Sequence, residues 1–180
     1  MSTAAEMNRF LADVEKRAFR MAQVAVKDAD EALDIVQDAM FTLVRKYSEK
    51  PHDEWRPLFY RILQNRITDS HRRNTVRSRV FAFFTPRGED GETFDPVAQA
   101  PGRASATPHI RAELDGATEE LQVAVERLPR RQQQAFLLRA LEGLSVADTA
   151  RAMKCSGGSV KTHYSRAVHN LREVLKEHWS

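Results

Sequence analysis

The chain has 180 residues, 42 % of them hydrophobic and 29 % charged, with 28 basic against 25 acidic side chains. Its mean hydropathy of −0.54 fits a water-exposed globular protein, and no apolar run reaches the ~18 residues needed to cross a bilayer. A single cysteine, Cys155, excludes an internal disulfide, and with no signal-peptide pattern at MSTAAEMNRF the chain is expected in a reducing cytoplasm.

Helical periodicity runs from about residue 5 to 76 and again from about 117 to 178, so the expected fold is all-α. The opening AEMNRFLADVEKRAFRMAQVAV places Phe10, Val14, Ala18 and Met21 on one side of a first helix. In the next, DADEALDIVQDAMFTLVRKY, the residues Leu33, Val36, Met40, Leu43, Val44 and Tyr47 form an apolar stripe. A second stripe holds Asp34, Gln37, Asp38, Phe41 and Arg45. An aromatic projecting among carboxylates and an arginine has the composition of a protein-binding hot spot.

The loop SEKPHDEWRP is expected to turn the chain before a third helix, FYRILQNRITDSHRR. At about 100° per residue, Phe59, Ile62, Leu63 and Ile67 share a core face. The opposite face carries Tyr60, Arg61, Gln64, Asn65, Thr68, His71 and Arg72, groups that stack, donate hydrogen bonds or neutralise phosphate. Between Arg61 and Arg79 six arginines meet one acid, Asp69, a local excess of five positive charges. Arg66 and Arg73 fall near the apolar side of the wheel, which implies that they reach past the core edge to a phosphate or an acid.

From Thr85 to Pro108 the chain holds four prolines and three glycines, a density that does not sustain regular structure. Two helical domains, 1–80 and 116–180, are therefore expected on either side of a flexible acidic linker, 81–115. In the second, ATEELQVAVERL should stop at Pro129 and RRQQQAFLLRALEG at Gly143. Ser145 with Asp148 resembles a capping box. SVADTARAMK and SGGSVKTHYSRAVHNLREVLKEHW, joined by a short turn through Cys155, form a helix-turn-helix. Val160, Tyr164, Ala167, Val168, Leu171, Val174 and Leu175 make the packing face of its second helix. Ser159, Lys161, Thr162, Ser165 and Arg166 lie at the start of that helix, the part that enters the major groove in DNA-binding relatives of the motif, and their side chains suit base edges and phosphates.

Residues 128 to 175 resemble region 4 of the extracytoplasmic-function group of sigma-70 factors, and residues 28 to 73 resemble region 2, with DADEALDIVQDAM at the position of its core-binding helix. The second half alone is also similar to LuxR-type regulators; those carry a receiver or sensing domain with strand-helix alternation, a pattern the first half lacks. The resemblance implies an RNA polymerase sigma factor with no catalytic residues, metal or cofactor. In it Asp34, Gln37, Asp38 and Phe41 would dock on the clamp helices of the largest subunit of core RNA polymerase. The following loop and helix would read and melt the minus-ten element, through Tyr47, Trp55, Tyr60, Arg61, Asn65, Asp69, Arg72 and Arg73. Region 4 would read the minus-thirty-five element through Ser159, Lys161, Thr162, Ser165 and Arg166 and touch the polymerase flap.

The implied partners are thus core polymerase and promoter DNA, duplex and melted, with an anti-sigma factor as an open further partner and no membrane insertion. The alternatives are a sigma-like decoy that binds an anti-sigma factor and never DNA, and a stand-alone LuxR-type helix-turn-helix regulator. The loop KYSEKPHDEWRP departs from the Phe-Arg-Gly pattern of many members, and Leu58 stands near the usual tryptophan, which leaves Trp55 or Tyr47 to supply the aromatic surface. Two elements separated by more than one and a half DNA turns lie roughly 50 to 60 Å apart. About 35 flexible residues reach ~30 to 35 Å on average and roughly 115 Å when extended. The linker therefore spans the gap only when stretched, and its Glu89, Asp90, Glu92 and Asp95 suit a positively charged channel.

Overall fold

The computed structural model describes residues 3–84 and 119–179, with side chains through residue 177. The described residues are all helical: α1 (Thr3–Val26), α2 (Ala29–Tyr47), α3 (His52–Phe84), α4 (Glu119–Glu126), α5 (Arg130–Phe136), α6 (Val146–Met153) and α7 (Gly157–Trp179). The acidic linker residues Glu89, Asp90, Glu92 and Asp95 lie outside the described residues.

α1 buries Met7, Phe10, Val14, Ala18 and Met21, a three-and-four spacing that keeps one face turned to α2 and α3. Phe10 meets Phe59 edge-on at 6.1 Å and Trp55 at 5.9 Å, and Phe59 meets Tyr60 at 5.2 Å. Such edge-to-face contacts add to area burial, and truncating Phe59 would cost about 3–5 kcal/mol. Between α1 and α2 the chain turns at Lys27, whose φ of 60° is left-handed without a glycine. Asp28 caps α2, accepting from Glu31 N–H at 2.9 Å.

α3 differs from the expectation at both ends. It starts at His52, inside the anticipated loop, and carries Pro57 within it. Asp53 and Glu54 in its first turn favour the helix start, and Pro57 only relieves the exposed Asp53 carbonyl of a donor. At the other end the helix continues through Phe84, so residues 81–84 of the anticipated linker are helical. On α2, Leu33 and Val44 belong by periodicity to the packing stripe but are exposed; the helix buries Ala32, Ile35, Val36, Ala39, Thr42 and Leu43 instead.

In the C-terminal half, α5 widens into a π turn at Leu137–Leu141. Glu142 N–H bonds the Leu137 carbonyl at 3.1 Å, and Leu144 N–H bonds the Leu138 carbonyl at 3.0 Å. Gly143 supplies the φ of +71° this exit requires. Ser145 caps α6, accepting from Asp148 N–H at 3.1 Å. α6 ends at Lys154, left-handed at φ 54°. Ser156 caps α7, accepting from Ser159 N–H at 3.1 Å. Val174, expected in the packing face of α7, is exposed.

The two halves touch. α3 packs along α6, and α1 meets α4. Gln134 Nε2 donates to Gln64 Oε1 at 3.0 Å, and both amides are buried. The Glu142 side chain, wholly buried, accepts from Arg17 Nε at 2.8 Å and from Arg56 Nη1. Asp13 closes the ring, accepting from Arg17 at 3.0 Å and Arg56 at 3.1 Å. Two carboxylates and two guanidiniums leave no net charge in this clamp, the condition under which a buried acid is tolerated.

Candidate functional site

Three surfaces carry the residues singled out by sequence. On α2, Asp34, Gln37, Asp38 and Phe41 are all exposed on one side, with Phe41 75 % accessible. Leu33 and Val44 fall within the same sector and are exposed beside them. They were missed because an apolar residue at helical spacing reads as core. The pair makes the face larger and more apolar, an aromatic and two aliphatics among acids. Arg66, awkwardly placed near the apolar side of α3 by its spacing, reaches Asp38 with Nε 2.6 Å from Oδ2. Asp38 is the acid anticipated for it, and the bond ties α3 to the acidic edge of α2.

On α3, Arg61, Asp69, Arg72 and Arg73 are exposed and Asn65 is half-buried. Asn65, Asp69 and Arg72 line a cleft of about 520 Å³ together with Lys46, Tyr47, Arg66 and Thr68. Its other wall is Arg131, Gln134, Ala152, Met153 and Lys154, from the C-terminal half. Five cations against Asp69 make this an anion-favouring cleft. Asn65 therefore points into the space between the halves.

Two of the expected minus-ten residues are corrected. Trp55 and Tyr60 are 1 % and 0 % exposed, held in the aromatic core with Phe10 and Phe59. On the wheel Tyr60 stands beside Ile67, about 20° away, so the polar hydroxyl misplaced it on the outer face. Burial, then the nearby Glu142 charge, raise the Tyr60 phenol well above its usual range. Among the described residues, neither Trp55 Nε1 nor Tyr60 Oη meets a partner at hydrogen-bonding geometry. Gln64, also assigned to the outer face, is buried and donates to Met21 Sδ at 3.1 Å. Of the aromatics considered for DNA contact, only Tyr47 borders the cleft.

On α7, Lys161, Thr162, Ser165 and Arg166 are exposed, two pairs four residues apart on one face near the helix start. Ser159 is half-buried, and its hydroxyl bonds Ser156 Oγ at 3.0 Å, so it belongs to the cap. Tyr164 anchors the helix, stacked on Phe136 at 6.3 Å with the Arg139 guanidinium 5.8 Å from its ring centroid. Burial together with Arg131 and Arg166 lowers the pKa of His163, which marks a cationic margin on this side of the domain.

Comparison with known proteins accounts for both halves. Residues 7–77 match the family model for sigma-70 region 2, and residues 118–171 match the model for sigma-70 region 4. The chain is 27 % identical over 149 residues to the ECF RNA polymerase sigma factor EcfG of Rhodopseudomonas palustris, covering 82 % of this chain and 73 % of that one. It is 48 % identical to BldN of Streptomyces coelicolor, also an ECF sigma factor, over 54 residues, 30 % of this chain and 20 % of that one. The structure of the sigma factor RpoE with the anti-sigma factor NepR from Bartonella quintana shares the fold, with a TM-score of 0.66 at 20 % identity over 93 % of this chain and 97 % of that one. The region 2 match excludes a LuxR-type regulator, and the chain belongs to the sigma-70 family as a non-enzymatic sigma factor of the extracytoplasmic-function type.

Proposed function

We propose that the three surfaces divide the work of promoter-specific initiation. The face of α2 formed by Leu33, Asp34, Gln37, Asp38, Phe41 and Val44 docks on core RNA polymerase, at the clamp helices of the largest subunit. Arg61, Asn65, Asp69, Arg72 and Arg73, with Tyr47 at the cleft, read the minus-ten element and hold the melted strand. Trp55 and Tyr60 support this face from the core without touching DNA. Lys161, Thr162, Ser165 and Arg166 read the minus-thirty-five duplex, with Ser159 and Ser156 fixing the helix start, and region 4 also touches the flap.

The observation that carries this reading is the exposed Phe41 among Asp34, Gln37 and Asp38, an apolar investment that only a protein partner repays. A decoy that never meets DNA has no use for the exposed polar start of α7. Promoter reading places the protein in the cytoplasm, and no helix among the described residues is long and apolar enough to cross a membrane. An anti-sigma protein is a further proposed partner, supported by the complex with the anti-sigma factor NepR in which RpoE was solved.

Reading both elements requires the halves to part. A compact body of ~145 residues has a radius of gyration of about 15 Å, so it is roughly 40 Å across, short of the ~50 to 60 Å between the elements. Purified core polymerase plus this chain should start transcripts from a matched promoter, and no promoter-dependent product would end the proposal. Phe41→Ala with Asp38→Ala should weaken core binding at least ten-fold while the helical circular dichroism stays unchanged. Equal affinity would remove the docking assignment.

A further inference from the structure

α3 does not stop where the minus-ten face stops. The region 2 match ends at residue 77, but the helix continues to Phe84. Between Ser70 and Phe84 there are four arginines (72, 73, 77 and 79) and no acid. The apolar residues there are not core, since Val76 is 58 % exposed, Phe83 85 % and Phe84 78 %. The two phenyl rings meet edge to face at 5.7 Å, which leaves ring faces turned outward.

The helix wheel joins this tail to the cleft. At about 100° per residue, Arg61, Asn65, Thr68, Arg72, Val76, Arg79 and Phe83 fall within one sector roughly 80° wide. The stripe that begins as the minus-ten face thus runs on, cation and apolar side chain in turn, and ends on the aromatic Phe83. The 18 steps from Asn65 to Phe83 cover about 27 Å at 1.5 Å each, the length of roughly eight base steps at the duplex rise.

We propose that the last turns of α3 extend the strand-capture surface, with Arg72 and Arg79 on phosphates and Phe83 and Phe84 stacking on unpaired bases of the melted strand. This rests on the minus-ten assignment of α3. Cations interleaved with aromatics are what single-strand binding uses, because every base offers a π face and every step a phosphate. A lipid surface fits less well, since it needs a segregated apolar face, and here Arg73 and Arg77 stand on the wheel among Val80, Phe81 and Phe84. Fluorescent twelve-residue oligothymidylate is the probe, because the tail is exposed with the halves together and needs no opening.

With the full chain at fixed salt, Phe83→Ala with Phe84→Ala should lower oligothymidylate affinity roughly ten-fold and leave binding of a duplex of equal length unchanged. Phe83→Leu with Phe84→Leu should show the same loss, since it keeps apolar area and removes the π face. Arg79→Gln should reduce the salt slope by about 0.7. Unchanged affinity in the alanine pair would overturn the proposal. Rescue by leucine, or a fall in core-polymerase affinity instead, would overturn it in favour of a protein contact. Asn65→Ala scored on promoter opening separates the two levels: a defect there with an inert tail leaves the minus-ten assignment standing and removes only its extension.

Discussion

The two helices proposed to face DNA are built by different means. The reading face of α7 is local, set by the Ser156 cap, a short turn and residues within three helical turns, and it is open to solvent. The face of α3 is made by packing: Trp55, Phe59 and Tyr60 lock one side into a core shared with α1, and α6 of the other half covers part of the opposite side. A locally encoded surface is available at once, whereas one shaped by packing is available only when the packing allows. Under the proposed roles, the seam between the halves would govern access to the face of α3 and leave that of α7 free.

Breaking the seam should have the largest effect. In Glu142→Ala the buried acceptor of two guanidiniums is lost. Charged hydrogen bonds are worth about 1.5–3 kcal/mol each, but Arg17 and Arg56 keep roughly a third of their exposure and stay paired with Asp13, so a loss of about 2–3 kcal/mol is expected. Small-angle scattering should show a larger radius of gyration. Unchanged dimensions would mean that the remaining contacts, α3 with α6, α1 with α4 and Gln64 with Gln134, hold the halves without it.

A matched pair of arginine variants sharpens the contrast. Arg166→Ala should cost about 1–3 kcal/mol in binding a minus-thirty-five duplex, equally in the free chain and in holoenzyme. Arg72→Ala, at the cleft between the halves, should show a larger defect in holoenzyme, where the halves part, than in the free chain. Equal behaviour of the two in free protein would remove the difference between the faces.

Acidity bears on the same side of α3. His71 lies near Arg130 of α5 and Glu31 of α2; burial and then Arg130 lower its pKa from 6.5, against the opposing pull of Glu31. As pH falls through 6.5 the unfolded chain takes up the proton first, so stability is lost with acidification and regained above that value. The thermal midpoint should fall from pH 8 to 5.5, and His71→Gln should flatten the slope. The smallest effect is expected at Lys154, left-handed at φ 54°: Lys154→Gly should raise stability by about 0.5 kcal/mol in urea unfolding, the left-handed penalty net of chain entropy.

The helix-turn-helix was legible because its signals are short range: serine caps, Gly143, and polar residues at the start of α7. The docking face was legible in part, since Phe41 broke the polar pattern of its stripe while Leu33 and Val44 did not break the apolar pattern of theirs. Tyr60, Trp55 and Gln64 were not legible. An aromatic or an amide has one polar end, and the sequence does not say whether that end meets water or another chain segment. Arg17, Arg56 and Glu142 were missed for the same reason, being far apart in sequence and ordinary in type.

The π turn at Leu137–Leu141 has a consequence for how the seam is encoded. Its ring closes from Glu142 back to Leu137, so the residue that anchors the halves owes its direction to one residue more than an α-helical turn needs. Deleting Ala140 would close the turn normally and swing Glu142 and the chain beyond it by about 100°. Every side chain of the clamp would remain in the chain, and Glu142 would no longer face Arg17 and Arg56. The coupling between the halves is thus written in residue count as much as in residue identity, and a change in length there would uncouple them with no substitution at all.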